Sequence, residues 1–268
     1  MLQPTLLGQE GRTLGFWTAW QFLTIFPAPR NRGTGAGGIG PSIAFFPVVG
    51  LILGGMLLGL DQLFDLFLPS LLTNALLLVA LVILTGALHL DGFMDTCDGF
   101  AVRTSPEERL RIMSDSRVGG FGVAGACCLI LLKCVSLITL PEDLRASALL
   151  VMPMLSRSGA AYALLVFPSA KKTGLGQMYR EQAGWVMLTI AMVFTLAVAI
   201  AFLSYSGAAL VGGIWLVVFL VGKGLSSRLG GLTGDTYGAI IEFSEVCILI
   251  GVIIIGKAGG TSWLDLSS

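Results

Sequence analysis

The sequence predicts an all-α protein, a polytopic bundle of about seven membrane-spanning helices with its N-terminus in the cytoplasm and its C-terminus outside. Three observations carry that expectation. Hydrophobic residues make up 55% of the 268 and charged residues 12%, with a mean hydropathy of +0.87, which lies outside the range of soluble domains. Stretches approaching the roughly 20 apolar residues that cross hydrocarbon as a helix recur at 42–60, 70–90, 119–140, 147–167, 184–204, 206–222 and 237–256. With the N-terminus inside, the inner segments hold Arg12, Arg30, Arg32, Arg103, Arg109, Arg111, Arg117, Lys171, Lys172, Arg180, Lys223 and Arg228, against Arg145 and Lys257 outside. That asymmetry is the positive-inside pattern.

Along the chain, residues 14–26 are apolar but short, and Pro27 and Pro29 stop them. This suits a helix lying in the interface, with Trp17 and Trp20 as anchors. The Gly-rich run Gly33–Gly40 reads as a loop, and the first long apolar stretch begins near Ser42, so no cleaved leader is expected. The outer loops, around Asp61 and Asp65, around Glu142 and Asp143, and over 204–207, are short and poor in chemistry. The chain reads as one integral-membrane domain, with an arm over 1–41, a bundle over 42–257 and a short tail over 258–268. Many of the 36 glycines serve close helix packing, as small residues do in lipid. Cys97, Cys127, Cys128, Cys134 and Cys247 lack metal-ligand spacing and read as small free hydrophobes. Sixteen basic and sixteen acidic residues cancel, which excludes a global field for nucleic acid. Membrane lipid is the expected environment, and a homo-oligomer is left open.

The second span ends in His89-Leu-Asp91-Gly-Phe-Met-Asp95-Thr-Cys-Asp98-Gly99, which gathers three aspartates and the only histidine of the chain. Helical spacing puts Asp91, Asp95 and Asp98 on one face, the first pair roughly 6 Å apart. Three carboxylates on one stripe repel unless cations neutralise them, and hard oxygen ligands favour Mg²⁺, which bridges phosphates well. The plain alternative is a solvated helix end. His89 reads equally as a base, a phosphate-contacting donor or an interfacial side chain.

A matching stripe opens the last span, where Asp235, Glu242 and Glu245 share a face. Glu242 and Glu245 lie inside an apolar segment, where a charge costs at least about 2.5 kcal/mol. Either a shared metal or the intramembrane cations Lys133 and Arg157 must compensate them. Between the stripes, Arg103, Arg109, Arg111 and Arg117 precede Val118-Gly-Gly-Phe-Gly122. Arginines bind phosphate bidentately and glycines at a helix start admit an anion, although positive-inside topology alone also supplies such arginines.

The run His89-Leu-Asp-Gly-Phe-Met-Asp-Thr-Cys-Asp-Gly99 resembles the HxDGxxDxxDG signature of the cobalamin synthases, the adenosylcobinamide-GDP ribazoletransferases. The resemblance extends to Phe22-Leu-Thr-Ile-Phe-Pro27, Phe46-Pro-Val-Val-Gly50, Asp115-Ser-Arg-Val-Gly-Gly-Phe-Gly122 and Gly231-Leu-Thr-Gly-Asp-Thr-Tyr-Gly238, and so covers almost the whole chain. It implies a Mg²⁺-dependent transferase in the cytoplasmic (inner) membrane of a bacterium, with its active site facing the cytosol. Its partners would be adenosylcobinamide-GDP and α-ribazole or its 5′-phosphate, and its products adenosylcobalamin or its 5′-phosphate and GMP. The catalytic positions would be His89, Asp91, Asp95 and Asp98. Metal would fall to Asp91, Asp95, Asp98, Asp235, Glu242 and Glu245, and phosphate to Arg109, Arg117, Arg157 and Thr233. Trp17, Trp20, Phe45 and Phe46 read either as a wall for the corrin ring or as interfacial anchors.

Two other readings compete. CDP-alcohol phosphotransferases run related chemistry on helical aspartates, but here Asp91-Gly92 is followed by neither their Ala-Arg pair nor their downstream spacing. An ion-coupled transporter would also use intramembrane carboxylates, but it predicts inverted repeats, and none extends beyond the two stripes.

Overall fold

A computed structural model of the chain describes residues 4–29, 38–171 and 174–259. Residues 33–37 of the Gly-rich run, Arg30, Arg32, Lys172 and the tail beyond residue 259 lie outside the described residues. The described chain is helical, with no strand beyond one isolated bridge. Helix α1 spans Pro4–Leu23, α2 Ile39–Ser42 with a short 3-10 turn to Phe45, α3 Phe46–Asp65, α4 Ser70–Leu84 and α5 Leu88–Ala101. Then come α6 Pro106–Met113, α7 Gly120–Ile138, α8 Glu142–Val166, α9 Leu175–Gln182, α10 Trp185–Leu229 and α11 Gly234–Gly259.

Among the described residues, five segments are long and apolar enough to cross a bilayer: 39–65, 120–138, 142–166, 185–229 and 234–258. Helices α4 and α5 make a sixth if taken together, bent by 90°. The apolar stretches expected at 184–204 and 206–222 are the two arms of α10, which breaks at Ser204 (φ 52, ψ −142). There the chain doubles back: a Cβ on Gly207 would stand 2.6 Å from the Ala199 carbonyl carbon, whereas eight residues of straight helix span about 12 Å. Helix α1 starts ten residues before the apolar stretch at 14, because the polar residues ahead of it continue the helix.

Helix α8 is the centre of the bundle, packed against α3, α10 and α11, and its Leu149, Met152, Met154 and Leu155 are fully enclosed. In lipid, helices associate through close packing rather than hydrophobic exclusion, and Gly50 and Gly54 of α3 provide it. A Cβ on Gly54 would lie 2.7 Å from the carbonyl oxygens of Leu149 and Leu150, and one on Gly50 would lie 2.6 Å from the Met154 Cα. At the end of the bundle away from α5, Arg145 clamps three other helices. Its Nη2 donates to Asp61 at 2.6 Å and to Asn74 at 2.8 Å, and its Nη1 to the Leu137 carbonyl at 3.2 Å. All five cysteines are free thiols.

Candidate active site

The sharp bend between α4 and α5 is the device that presents the first acidic motif. Gly86 and Ala87 both adopt left-handed backbone, φ 62 and 58, a conformation that costs Ala87 of order 1 kcal/mol. The chain after α1 supports the bend, since the Ile25 N–H donates to the Leu84 carbonyl at 2.9 Å. Helix α5 then crosses α11 at glycine distance. A Cβ on Gly92 would lie 2.7 Å from the Asp235 carbonyl oxygen, and one on Gly238 would lie 2.9 Å from the His89 carbonyl oxygen. Each acidic motif therefore carries the glycine that lets the other motif's backbone approach. Where they meet is a cavity of about 230 Å³, walled by His89, Asp91 and Asp235 with Phe22, Phe46 and Tyr237.

The carboxylates load this region with negative charge. Asp91, Asp235 and Asp98 all act electrostatically on the half-buried Asp95. Among the described residues no three His, Cys, Asp or Glu side chains form a ready-made metal cage. Magnesium needs no such cage, because it keeps several waters and takes one or two carboxylates plus substrate phosphates. Asp91, Asp95 and Asp235, mutually repelling, supply the one or two hard carboxylate oxygens that this mode needs. His89 is buried, and neither ring nitrogen has a hydrogen-bond partner within the protein.

Asp98 is placed differently from its neighbours on the stripe. Its Oδ2 accepts the Gly119 N–H at 2.9 Å and its Oδ1 accepts the Gly122 N–H at 2.8 Å. The carboxylate thus fastens α5 to the start of α7, where free N–H groups and the helix dipole favour an anion. The glycines expected to receive a substrate anion receive Asp98. A Cβ on Gly119 would stand 2.5 Å from the Asp98 Cγ, so Gly119→Ala is expected to lower stability by about 1–3 kcal/mol, seen as an earlier thermal transition in detergent.

The arginines offered for phosphate have other engagements. Arg109 is buried, donates to the Gly99 carbonyl at 2.8 Å and lies 5.1 Å from the Phe100 ring centre, closing the C-terminus of α5. Arg117 grips Asp115 at 2.8 and 3.1 Å, and those hydrogen bonds pull the Asp115 carboxyl down to about 2. Thr233 begins α11 with Thr236 in a reciprocal cap: Thr233 N–H donates to Thr236 Oγ1 at 2.8 Å and Thr236 N–H to Thr233 Oγ1 at 3.3 Å. The Thr233 hydroxyl also reaches Asp235 at 3.3 Å, steadying that carboxylate.

Glu242 and Glu245 do not join the aspartates. Lys133 of α7 donates to Glu242 at 2.6 Å and also to Glu245, whose other oxygen takes Arg157 of α8. The network is almost fully enclosed and ties α7, α8 and α11 together behind His89, which feels the charges of Arg157, Glu245 and Lys133. Both glutamates are thus compensated by protein cations.

Phe22 and Tyr237 line the cavity without having been singled out for it, although both sit in the motifs on which the resemblance rests. Phe46 is fully buried and stacks on Phe22 at 5.8 Å, while Trp20 and Phe45 gather around Phe16. A larger cavity of about 1100 Å³ lies towards the other end of α11, between its C-terminal half and the α10 hairpin, lined by Phe202, Leu210, Ile214 and Ile254 with Asp143. It lacks a cluster of chemically active groups.

A family model described as cobalamin-5-phosphate synthase matches residues 15–253. An adenosylcobinamide-GDP ribazoletransferase of Geotalea daltonii is 36% identical over 90% of this chain and 97% of its own length. The proteins of that name from Desulfitobacterium hafniense and Pseudomonas fluorescens are 40% and 35% identical, covering 88% and 90% of this chain and 94% and 99% of theirs. No solved structure matches the chain.

Proposed function

The chain belongs to the cobalamin-5-phosphate synthase family, an enzyme family, and from that membership we propose that it joins adenosylcobinamide-GDP to α-ribazole or its 5′-phosphate with release of GMP. The observation that carries this reading is the crossing of α5 and α11 at Gly92 and Gly238, which gives two distant acidic motifs one cavity. In the proposed reaction a ribose hydroxyl of the ribazole bonds to the phosphorus attached to cobinamide. The bond from that phosphorus to the bridging oxygen breaks, and GMP leaves with the oxygen. His89, buried against the cavity with both ring nitrogens free of protein partners, takes the hydroxyl proton. One or two of Asp91, Asp95 and Asp235 would hold Mg²⁺, and Asp98 keeps α5 fixed against α7. When bound, the ion neutralises the pyrophosphate and stabilises charge on the transferring phosphoryl group.

Ion-coupled transport is less well supported, because the intramembrane glutamates it requires are held by Lys133 and Arg157. The basic residues flanking α6 and ending α10 support a site facing the cytosol, and the inner membrane of a bacterium belongs to the same proposal. Purified protein in detergent, given both substrates and Mg²⁺, is expected to release GMP; its failure to do so while folded overturns the reading. His89→Gln is expected to lower kcat by about 10²–10⁴-fold with little change in donor KM. A wild-type kcat in that variant would hand proton acceptance to a carboxylate.

A further inference from the structure

The loop leaving α8 is fastened to the second acidic motif by backbone hydrogen bonds. The Leu232 N–H donates to the Pro168 carbonyl at 2.7 Å and the Ala170 N–H to the Leu232 carbonyl at 2.9 Å, forming the bridge between Ser169 and Leu232. Gly231 permits the approach. It sits at φ 155, and a Cβ there would lie 2.5 Å from the Ala170 nitrogen. Ser169 Oγ then donates to the Lys171 carbonyl at 2.8 Å, folding the loop back on itself. A loop so anchored holds Lys171, exposed, where its charge acts on Asp235.

Four cations considered for phosphate or for the buried acids are already committed. Arg109 holds a carbonyl, Arg117 holds Asp115, and Lys133 and Arg157 hold the buried glutamates. Lys171 takes part in no ion pair within 4.0 Å among the described residues, Asp235 included. A cation kept within the field of Asp235 yet not closed onto it leaves room for a ligand carrying several negative oxygens. Such a ligand can face a carboxylate-held cation on one side and an ammonium on the other, and lysine serves phosphate as a point charge.

We propose that Lys171 binds the nucleoside-diphosphate portion of the donor, holding its phosphates against the aspartates. This rests on the reading that the enzyme uses a GDP-bearing donor. The test compares wild type, Lys171→Ala and Lys171→Arg in detergent with Mg²⁺. Calorimetry reads the Kd for GDP, and turnover reads KM for adenosylcobinamide-GDP and for α-ribazole. Lys171→Ala is expected to raise the GDP Kd and the donor KM by about tenfold or more, with the α-ribazole KM unmoved and Lys171→Arg restoring most of the loss. Unchanged GDP affinity and donor KM in Lys171→Ala overturn the assignment and leave an interfacial charge. Equal rises in both KM values also overturn it, as general damage to the site. If wild type binds GDP through Lys171 but releases no GMP, the reaction assigned above fails and this residue's role stands. If wild type neither binds GDP nor turns over, both fall.

Discussion

Asp95→Asn is expected to reduce GMP release at least about a hundredfold, the loss of roughly 3 kcal/mol of transition-state stabilisation, while the thermal transition stays near that of wild type. Asp95 is the aspartate on which the other three converge electrostatically, so removing its charge relieves repulsion among the carboxylates. Activity and stability should therefore part company. An exposed helix-end acid would show no such split, because its loss changes neither. Raising Mg²⁺ is expected to recover part of the activity if Asp95 supplies affinity for the ion. An Asp95→Asn enzyme with wild-type turnover would remove the first acidic motif from the chemistry.

The second large effect is on stability. Glu245→Gln is expected to destabilise the bundle by about 3–5 kcal/mol, since it strands Arg157 and leaves Lys133 only one of its two partners in a dry interior. The double variant Arg157→Met with Glu245→Gln keeps the Lys133–Glu242 pair whole and is expected to recover most of that loss. Thermal unfolding in detergent measures both. Magnesium dependence of turnover in the double variant then separates two roles. An unaltered dependence marks Glu245 as a strut of α11, whereas a weakened one would return it to the metal.

Much of the fold was legible because lipid imposes a simple code. Long apolar runs must be helices there, since every backbone group needs an internal partner, and the stretches at 42–60, 119–140, 147–167 and 237–256 all fall on helices. The acidic stripes were legible because helical spacing is fixed. What the spacing of Asp91, Asp95 and Asp98 could not reveal is that Asp98 turns aside to two backbone N–H groups of α7, a choice made by Gly119 and Gly122. Nor did the identical logic at Glu242 and Glu245 choose between a metal and a protein cation. Lys133 lies more than a hundred residues away in sequence, and only the packing of α7 on α11 brings its ammonium to 2.6 Å from Glu242.

By itself, then, the sequence determined the solvent, the helices and the residue types of the chemistry, because these follow from composition and from local periodicity. Tertiary structure decided which acid meets which partner. That outcome depends on where helices cross, and the crossing of α5 with α11 is set by Gly92 and Gly238, whose missing side chains let two backbones come close enough to share one cavity.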